Sequence, residues 1–254
     1  MSYIDLQPTL RNWAYDPDKI SVRKILGVDG AVRVQIRVEL GIVQMEADGR
    51  PDGARPHGCS SLLEWHQRRI AKHVERNGTG LGYALHPREC ELLRFEAGIY
   101  YRRYVALFVL EEFDGVVRDT SHSLEIFDLC REHAMEADDR TALEEYRPYV
   151  LMMHARGSAY HAVQEGQPDS ALAHVNRGVV AIKAYFRDHG QEESIARSEE
   201  LSILRSLSRE LGGKMPKDSV LVTRKALRSA IEQERFEEAA RLRDELKNLN
   251  PNKP

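Results

Sequence analysis

The chain has 254 residues, of which 42% are hydrophobic and 30% charged, and its formal net charge is −3. That length suits one large domain or two smaller ones. The apolar share is enough to build real cores, and the charge excludes a global basic field that would draw the chain to nucleic acid or anionic lipid.

No apolar run reaches the ~18 residues of a membrane span. The opening residues, Met1 to Pro8, lack the charged-then-apolar pattern of a secretion signal. Cys59, Cys90 and Cys130 are odd in number and far apart. They read as reduced thiols, so a cytoplasmic location is expected.

Residues 19–46 differ in character from everything after them. Val32, Val34, Ile36, Val38 and Leu40 alternate with polar residues, the period of a half-buried strand. Ile20, Val22, Ile25 and Leu26 suggest a partner strand, with Asp29-Gly30 as the hairpin turn. Gly41 is expected to bend the second strand or form a bulge. A lone hairpin is marginal in water, so its apolar face should lie on helices.

Asp48 to Gly53 is dense in turn residues, with Pro51 suited to a type I turn and Gly53 to its last position. Ser61 to Glu64 reads as a capping box opening a helix to about Arg76, which Asn77-Gly78 closes. Pro87 suits the first position of a helix. Leu92, Ile99, Ala106 and Phe113 then recur at a heptad spacing and extend that helix to about Phe113. After Asp114-Gly115 a further helix is expected over about 123–136.

Val150, Met153, Gly157 and Tyr160 line one helix face, with Pro148 as a kink near its start. After a break at Gln167-Pro168-Asp169, Leu172, Val175, Val179, Ile182 and Phe186 line the next. The order Gly157, Tyr160, Ala171 and Val175 resembles a degenerate tetratricopeptide repeat, with a turn about two residues too long. A last core helix is expected over 192–211, and Gly212-Gly213 opens a linker.

Chemical candidates are sparse. His57, Cys59, His66, His73 and Cys90 share one region, but no ligand pair has the spacing of a zinc site. They read as scattered surface and interface residues, and no metal or cofactor is expected. Gly78 to Gly82 lacks the Lys-Ser/Thr ending of a phosphate loop and lies between two helices. No nucleophile elbow is present, and no catalytic residue is assigned.

Two runs mix aromatics with arginines, Trp65 to Arg69 and Tyr100 to Tyr104. Nucleic-acid binding through them would need a continuous basic stripe joining Arg68, Arg69, Arg102 and Arg103. Within helices these residues point in different directions, so nucleic acid is not expected as a direct ligand. Arg50, Asp52 and His57 form a possible ligand loop. With Gln44 and Glu46 they would make an enzyme site if they converged in one deep pocket. A plain connector is the alternative.

The C-terminal stretch is the most specific. Leu227, Ala230, Ile231 and Glu234 share one helical face, and Ala239, Leu242, Leu246 and Leu249 another. So short a helical pair must pack on its own protein, a second copy or a partner. Residues 219–249 carry seven Lys/Arg and six Asp/Glu, a balance that favours a protein partner over a phosphate backbone.

Leu227, Ala230, Phe236-Glu237, Ala239-Ala240, Arg243-Asp244 and Leu246 resemble the UVR motif. That motif is shared by the B and C subunits of the bacterial excision-repair nuclease, Clp-type protease ATPases and the activator of bacterial protein-arginine kinase. The resemblance implies an antiparallel helical hairpin that docks on another such hairpin or a related surface. It implies a bacterial origin and a role in DNA repair or the stress response. Phe236, Glu237, Ala239, Ala240, Arg243 and Asp244 are then the partner-binding residues. The kinase activators carry paired cysteines before the motif, which this chain lacks.

The expected fold is mainly α. An N-terminal β-hairpin (1–60) packs on an α-helical bundle or short solenoid of helical hairpins (61–212), and a linker and UVR-like helical hairpin follow (213–254). The expected function is a non-enzymatic adaptor that binds a UVR-containing protein or a second copy of itself. An enzyme using region 35–60 and a nucleic-acid-binding accessory protein are the alternatives.

Overall fold

A computed structural model describes residues 5–214 and Arg241. The chain divides into two units between Ser208 and Arg209. The first holds a small antiparallel sheet and a set of packed helices. In order these are α1 (Gln7–Leu10), β1 (Val22–Leu26), β2 (Val32–Val38), β3 (Gly41–Glu46), α2 (Leu62–Asn77), α3 (Pro87–Val109) and α4 (Phe113–His133). They are followed by α5 (Ala137–Thr141), α6 (Arg147–Gln164), α7 (Pro168–Asp188), α8 (Ser194–Arg197) and α9 (Glu199–Lys214), whose last turns lie past the division.

The mainly α class with an N-terminal β element holds, but the expected hairpin is a three-stranded sheet in the order β1-β2-β3. Asp29-Gly30 makes the first turn: Gly30 has φ 78°, and Asp29 accepts from the Ala31 N–H. Gly41 neither bends β2 nor bulges it. Gly41 pairs with Val38 and starts β3, after a two-residue turn at Glu39-Leu40.

Val34 and Met45 face each other across the β2–β3 pair and are buried. The alternating stripe is covered only at its middle, because Val32, Val38 and Leu40 are exposed. The polar face has its own cover. Gln35 is buried there, accepting from Arg23 Nε at 2.8 Å and donating to Gln44 at 2.8 Å. The Arg23 guanidinium lies 4.0 Å over the Trp13 ring, and Arg37 Nε donates to the Trp13 carbonyl. A cation–π contact and arginine hydrogen bonds to the Thr9 and Trp13 carbonyls thus hold the N-terminal segment on this face.

The α2 start is half of the expected capping box. Ser61 Oγ accepts from the Glu64 N–H, but the Glu64 carboxylate reaches past Ser61 to the Ser60 N–H and hydroxyl. Gly78, with φ 73°, closes the helix in the left-handed region. Pro87 opens α3 as expected, with Glu89 bonding back to the His86 N–H.

The third helix ends earlier than the heptad spacing suggests. Ile99 and Ala106 are buried, Leu92 is exposed, and Phe113 belongs to the next helix. The break falls at Leu110 to Glu112, where Glu111 adopts φ 59°. Asp114-Gly115 is not a turn but lies inside the first turn of α4. A Cβ on Gly115 would stand 2.8 Å from Leu107 Cδ1, so the missing Cβ leaves room for that leucine between α3 and α4.

Pro148 sits in the first turn of α6, where it starts the helix rather than kinking it. Gly157 packs against Val116 of α4, and Gly178 against Ala155, so α6 and α7 close into an antiparallel hairpin. The break between them is Glu165 to Gln167, and Pro168 already belongs to α7. The expected 192–211 helix is divided. Ser198 interrupts it and caps α9, its Oγ accepting from the Leu201 N–H. Gly212 and Gly213 lie in α9 rather than in a linker.

The main apolar cluster joins α2, α3 and α4 through Leu62, Leu63, Leu93, Ile126, Phe127 and Cys130. A parallel bridge at Leu85 and Ala134 ties the approach to α3 to the end of α4. Among the described residues no helix is long and apolar enough to cross a membrane.

Candidate functional site

Helix α3 places Glu96, Tyr100 and Arg103 on one face, at spacings of four and three. Helix α4 places Asp119 and His122 opposite them. The loop after β3 and the start of α2 close the sides. The result is a polar centre inside an otherwise apolar body.

Arg103 and Asp119 are both fully buried. Arg103 Nε and Nη2 donate to the two Asp119 oxygens at 2.6 and 2.8 Å, a bidentate pair. Arg103 Nη1 donates to the Glu46 carbonyl at 3.0 Å, locking β3 onto α3. Arg118 adds a second cation: its Nε bonds Asp119, and its Nη atoms bond Asp48 and the Ala47 carbonyl.

Glu96, also fully buried, is the second anchor. It accepts from the Leu62 and Leu63 N–H groups at 2.8 and 3.1 Å, two of the free donors at the α2 N-terminus. His122 Nε2 lies 3.0 Å from it, and Arg50 Nε 3.1 Å. Burial pushes the Glu96 carboxyl up, but bonds from His122 and the two backbone N–H groups outweigh it and hold the acid below its usual range. Arg50 Nε is close enough for ion pairing yet lacks an aligned hydrogen bond.

Tyr100 stacks on His122 with centroids 3.8 Å apart and planes 15° apart. Burial raises its phenol to about 12, so the ring stays neutral. Beside this stack opens a pocket of about 260 Å³, lined by Gly49, Ser60, Ser61, Tyr100, Arg103, Arg118, Ser121, His122 and Glu125.

Of the expected loop residues, Arg50 and Asp52 meet at 3.5 Å, and Arg50 joins the Glu96 centre. The Arg50 to Gly53 turn forms as expected, closed by the Gly53 N–H on the Arg50 carbonyl. His57, at φ 52°, stacks on Trp65 instead. Gln44 bonds Gln35, and Glu46 pairs with Arg33 on the sheet. None of these five side chains lines the pocket; the loop contributes Gly49.

The missed residues are Glu96, Asp119 and His122, and Arg103 was named only for a surface stripe. Their signal was legible: Glu96 and Arg103 share the helix face of Leu93, Tyr100 and Leu107. A carboxylate and a guanidinium on an apolar face demand buried partners.

The basic stripe does not form. Arg103 is internal, Arg68 pairs with Glu64, and Arg69 pairs with Glu89. The metal candidates disperse as well. His66 Nδ1 is 2.9 Å from the Tyr83 hydroxyl, while Cys59, Cys90 and Cys130 are buried. Among the described residues no group of three or more His, Cys, Asp or Glu could hold a metal ion.

Phe236, Glu237, Ala239, Ala240, Arg243 and Asp244 lie outside the described residues. No curated protein and no solved structure matches the chain. The family described as the UvrB/uvrC motif (UVR) matches residues 222–250, the segment where the Phe236 to Asp244 string stands.

Proposed function

We propose that the protein is a non-enzymatic adaptor that captures a protein partner through its C-terminal UVR segment. The observation that carries this reading is the match over 222–250. The partner carries a UVR hairpin of its own or is a second copy of this chain. Phe236, Ala239 and Ala240 supply the apolar contact, and Glu237, Arg243 and Asp244 set specificity. Excision repair and Clp-type proteolysis are both open as the pathway.

The body favours a protein partner over nucleic acid, because Arg103 is drawn inward and Arg68 and Arg69 are paired with carboxylates. The balanced charge of the tail points the same way. The test is affinity capture from the native cell with the full chain and with a chain ending at residue 213. Enrichment of an excision-nuclease or Clp component by the full chain alone supports the adaptor. Equal recovery by both chains refutes it. Sedimentation of the full chain separates self-association from a foreign partner.

A further inference from the structure

The pocket wall offers more hydrogen-bond donors than its own acceptors use. A guanidinium carries five N–H groups. Arg103 uses its Nε, Nη1 and Nη2 on Asp119 and the Glu46 carbonyl, leaving one N–H on each Nη. Arg118 is engaged in the same way by Asp119, Asp48 and the Ala47 carbonyl, and its side chain is 43% exposed. Ser61 Oγ accepts from the Glu64 N–H, and its own proton remains. The Ser121 hydroxyl has no hydrogen-bond partner among the described residues.

The charges on the wall are close to balanced. Arg103 and Arg118 line the pocket together with Glu125, and both arginines bind the fully buried Asp119. Arg118 also pairs with Asp48, whose side chain is 89% exposed and screened by water and salt. Recognition there rests on the unused donors, held on a packed scaffold, rather than on net charge.

We propose that this pocket binds a small ligand through an oxyanion group, a phosphate or a carboxylate, held by Arg118, Ser121 and Ser61. The 260 Å³ pocket lies just below the ~300–1,000 Å³ of drug-sized sites and takes a metabolite fragment rather than a polymer. The exposed Glu125, held by Gln67 Nε2 at 2.9 Å, opposes an anion and marks the side of the pocket that the oxyanion avoids. This site is independent of the tail: loss of partner capture would leave it standing, and the reverse.

The experiment is calorimetric titration of the full chain with inorganic phosphate and, separately, with succinate at matched ionic strength. Saturable binding of phosphate alone identifies a phosphoryl ligand, and of succinate alone a carboxylate; either supports the site. Arg118→Gln should weaken binding about tenfold, the size of one charge-assisted hydrogen bond. Ser121→Ala, which has no internal bond to lose, should weaken it about fivefold without changing the melting curve. Glu125→Gln should leave affinity unchanged or raise it. Absence of saturable binding by both anions overturns the proposal. So does undiminished affinity in Ser121→Ala, the deciding variant should Arg118→Gln fail to fold.

Discussion

Replacing Glu96 by Gln keeps the shape of the side chain and removes its charge, so it isolates what the carboxylate does. Four groups converge on it: the Leu62 and Leu63 N–H groups, His122 Nε2 and Arg50 Nε. A glutamine has one acceptor oxygen, and its amide nitrogen is a donor placed among donors. At least one α2 N–H group then loses its partner in the interior, which costs about 1–3 kcal/mol. Arg50, with its side chain only 8% exposed, loses its buried counter-charge. Breaking a buried pair in this way costs about 3–5 kcal/mol in total. Urea unfolding of the full chain, followed by circular dichroism, measures the loss. A cycle with Arg50→Met should return a coupling above about 1 kcal/mol, because the two groups share one network. A loss below about 1 kcal/mol for Glu96→Gln would refute the claim that Glu96 anchors the start of α2 to α3.

Gly178→Ala gains helix propensity of about 1 kcal/mol but puts a Cβ 2.4 Å from that of Ala155. Forcing α6 and α7 apart should cost about 1–3 kcal/mol and win; a raised melting temperature would contradict it. His66 is buried and its pKa is lowered from 6.5 to about 4, chiefly by burial. Its folded value lies below its unfolded one, so its contribution is complete above about pH 6.5 and is lost as pH falls towards 4. The difference reaches about 3 kcal/mol, and His66→Gln should flatten stability over that window relative to the parent chain. A chain ending at residue 213 should keep its helicity and a cooperative melt, because the body has its own core; loss of cooperativity would make the tail part of that core.

Much of the fold was legible because local chemistry and tertiary packing agree. Asp29-Gly30, Ser61, Gly78 and Pro87 each do what their residue types dictate at those positions. The third strand was not legible, since Glu39-Leu40 turns the chain without a glycine or asparagine at either loop position. Adjacent Ile42 and Val43 also spoil the alternation. Gly115 misled for the opposite reason: its missing Cβ serves the α3–α4 contact, not a turn. The true break puts a glutamate at positive φ, which no propensity favours.

The polar centre was half legible. Tyr100 and Arg103 stood out as part of an aromatic–basic run, but that run suggested a surface stripe rather than an internal pair. Arg103 finds Asp119 sixteen residues away, on a different helix. A helical period shows that both lie on core-facing stripes but does not show that they meet. Arg50 was named for the loop, and its tie to Glu96 depends on how α3 packs beneath that loop.

The central claim is that residues 222–250 capture a protein partner. Arg243→Ala in the full chain tests it most directly, because the substitution removes a charge from the docking string while alanine favours a helix. The measurement is calorimetric affinity for the captured partner, with a helicity check of the variant. The expected result is unchanged helicity with affinity reduced by about tenfold, the scale of one charge-assisted contact. Unchanged affinity in Arg243→Ala, in Asp244→Ala and in a chain lacking 219–254 would contradict the claim outright.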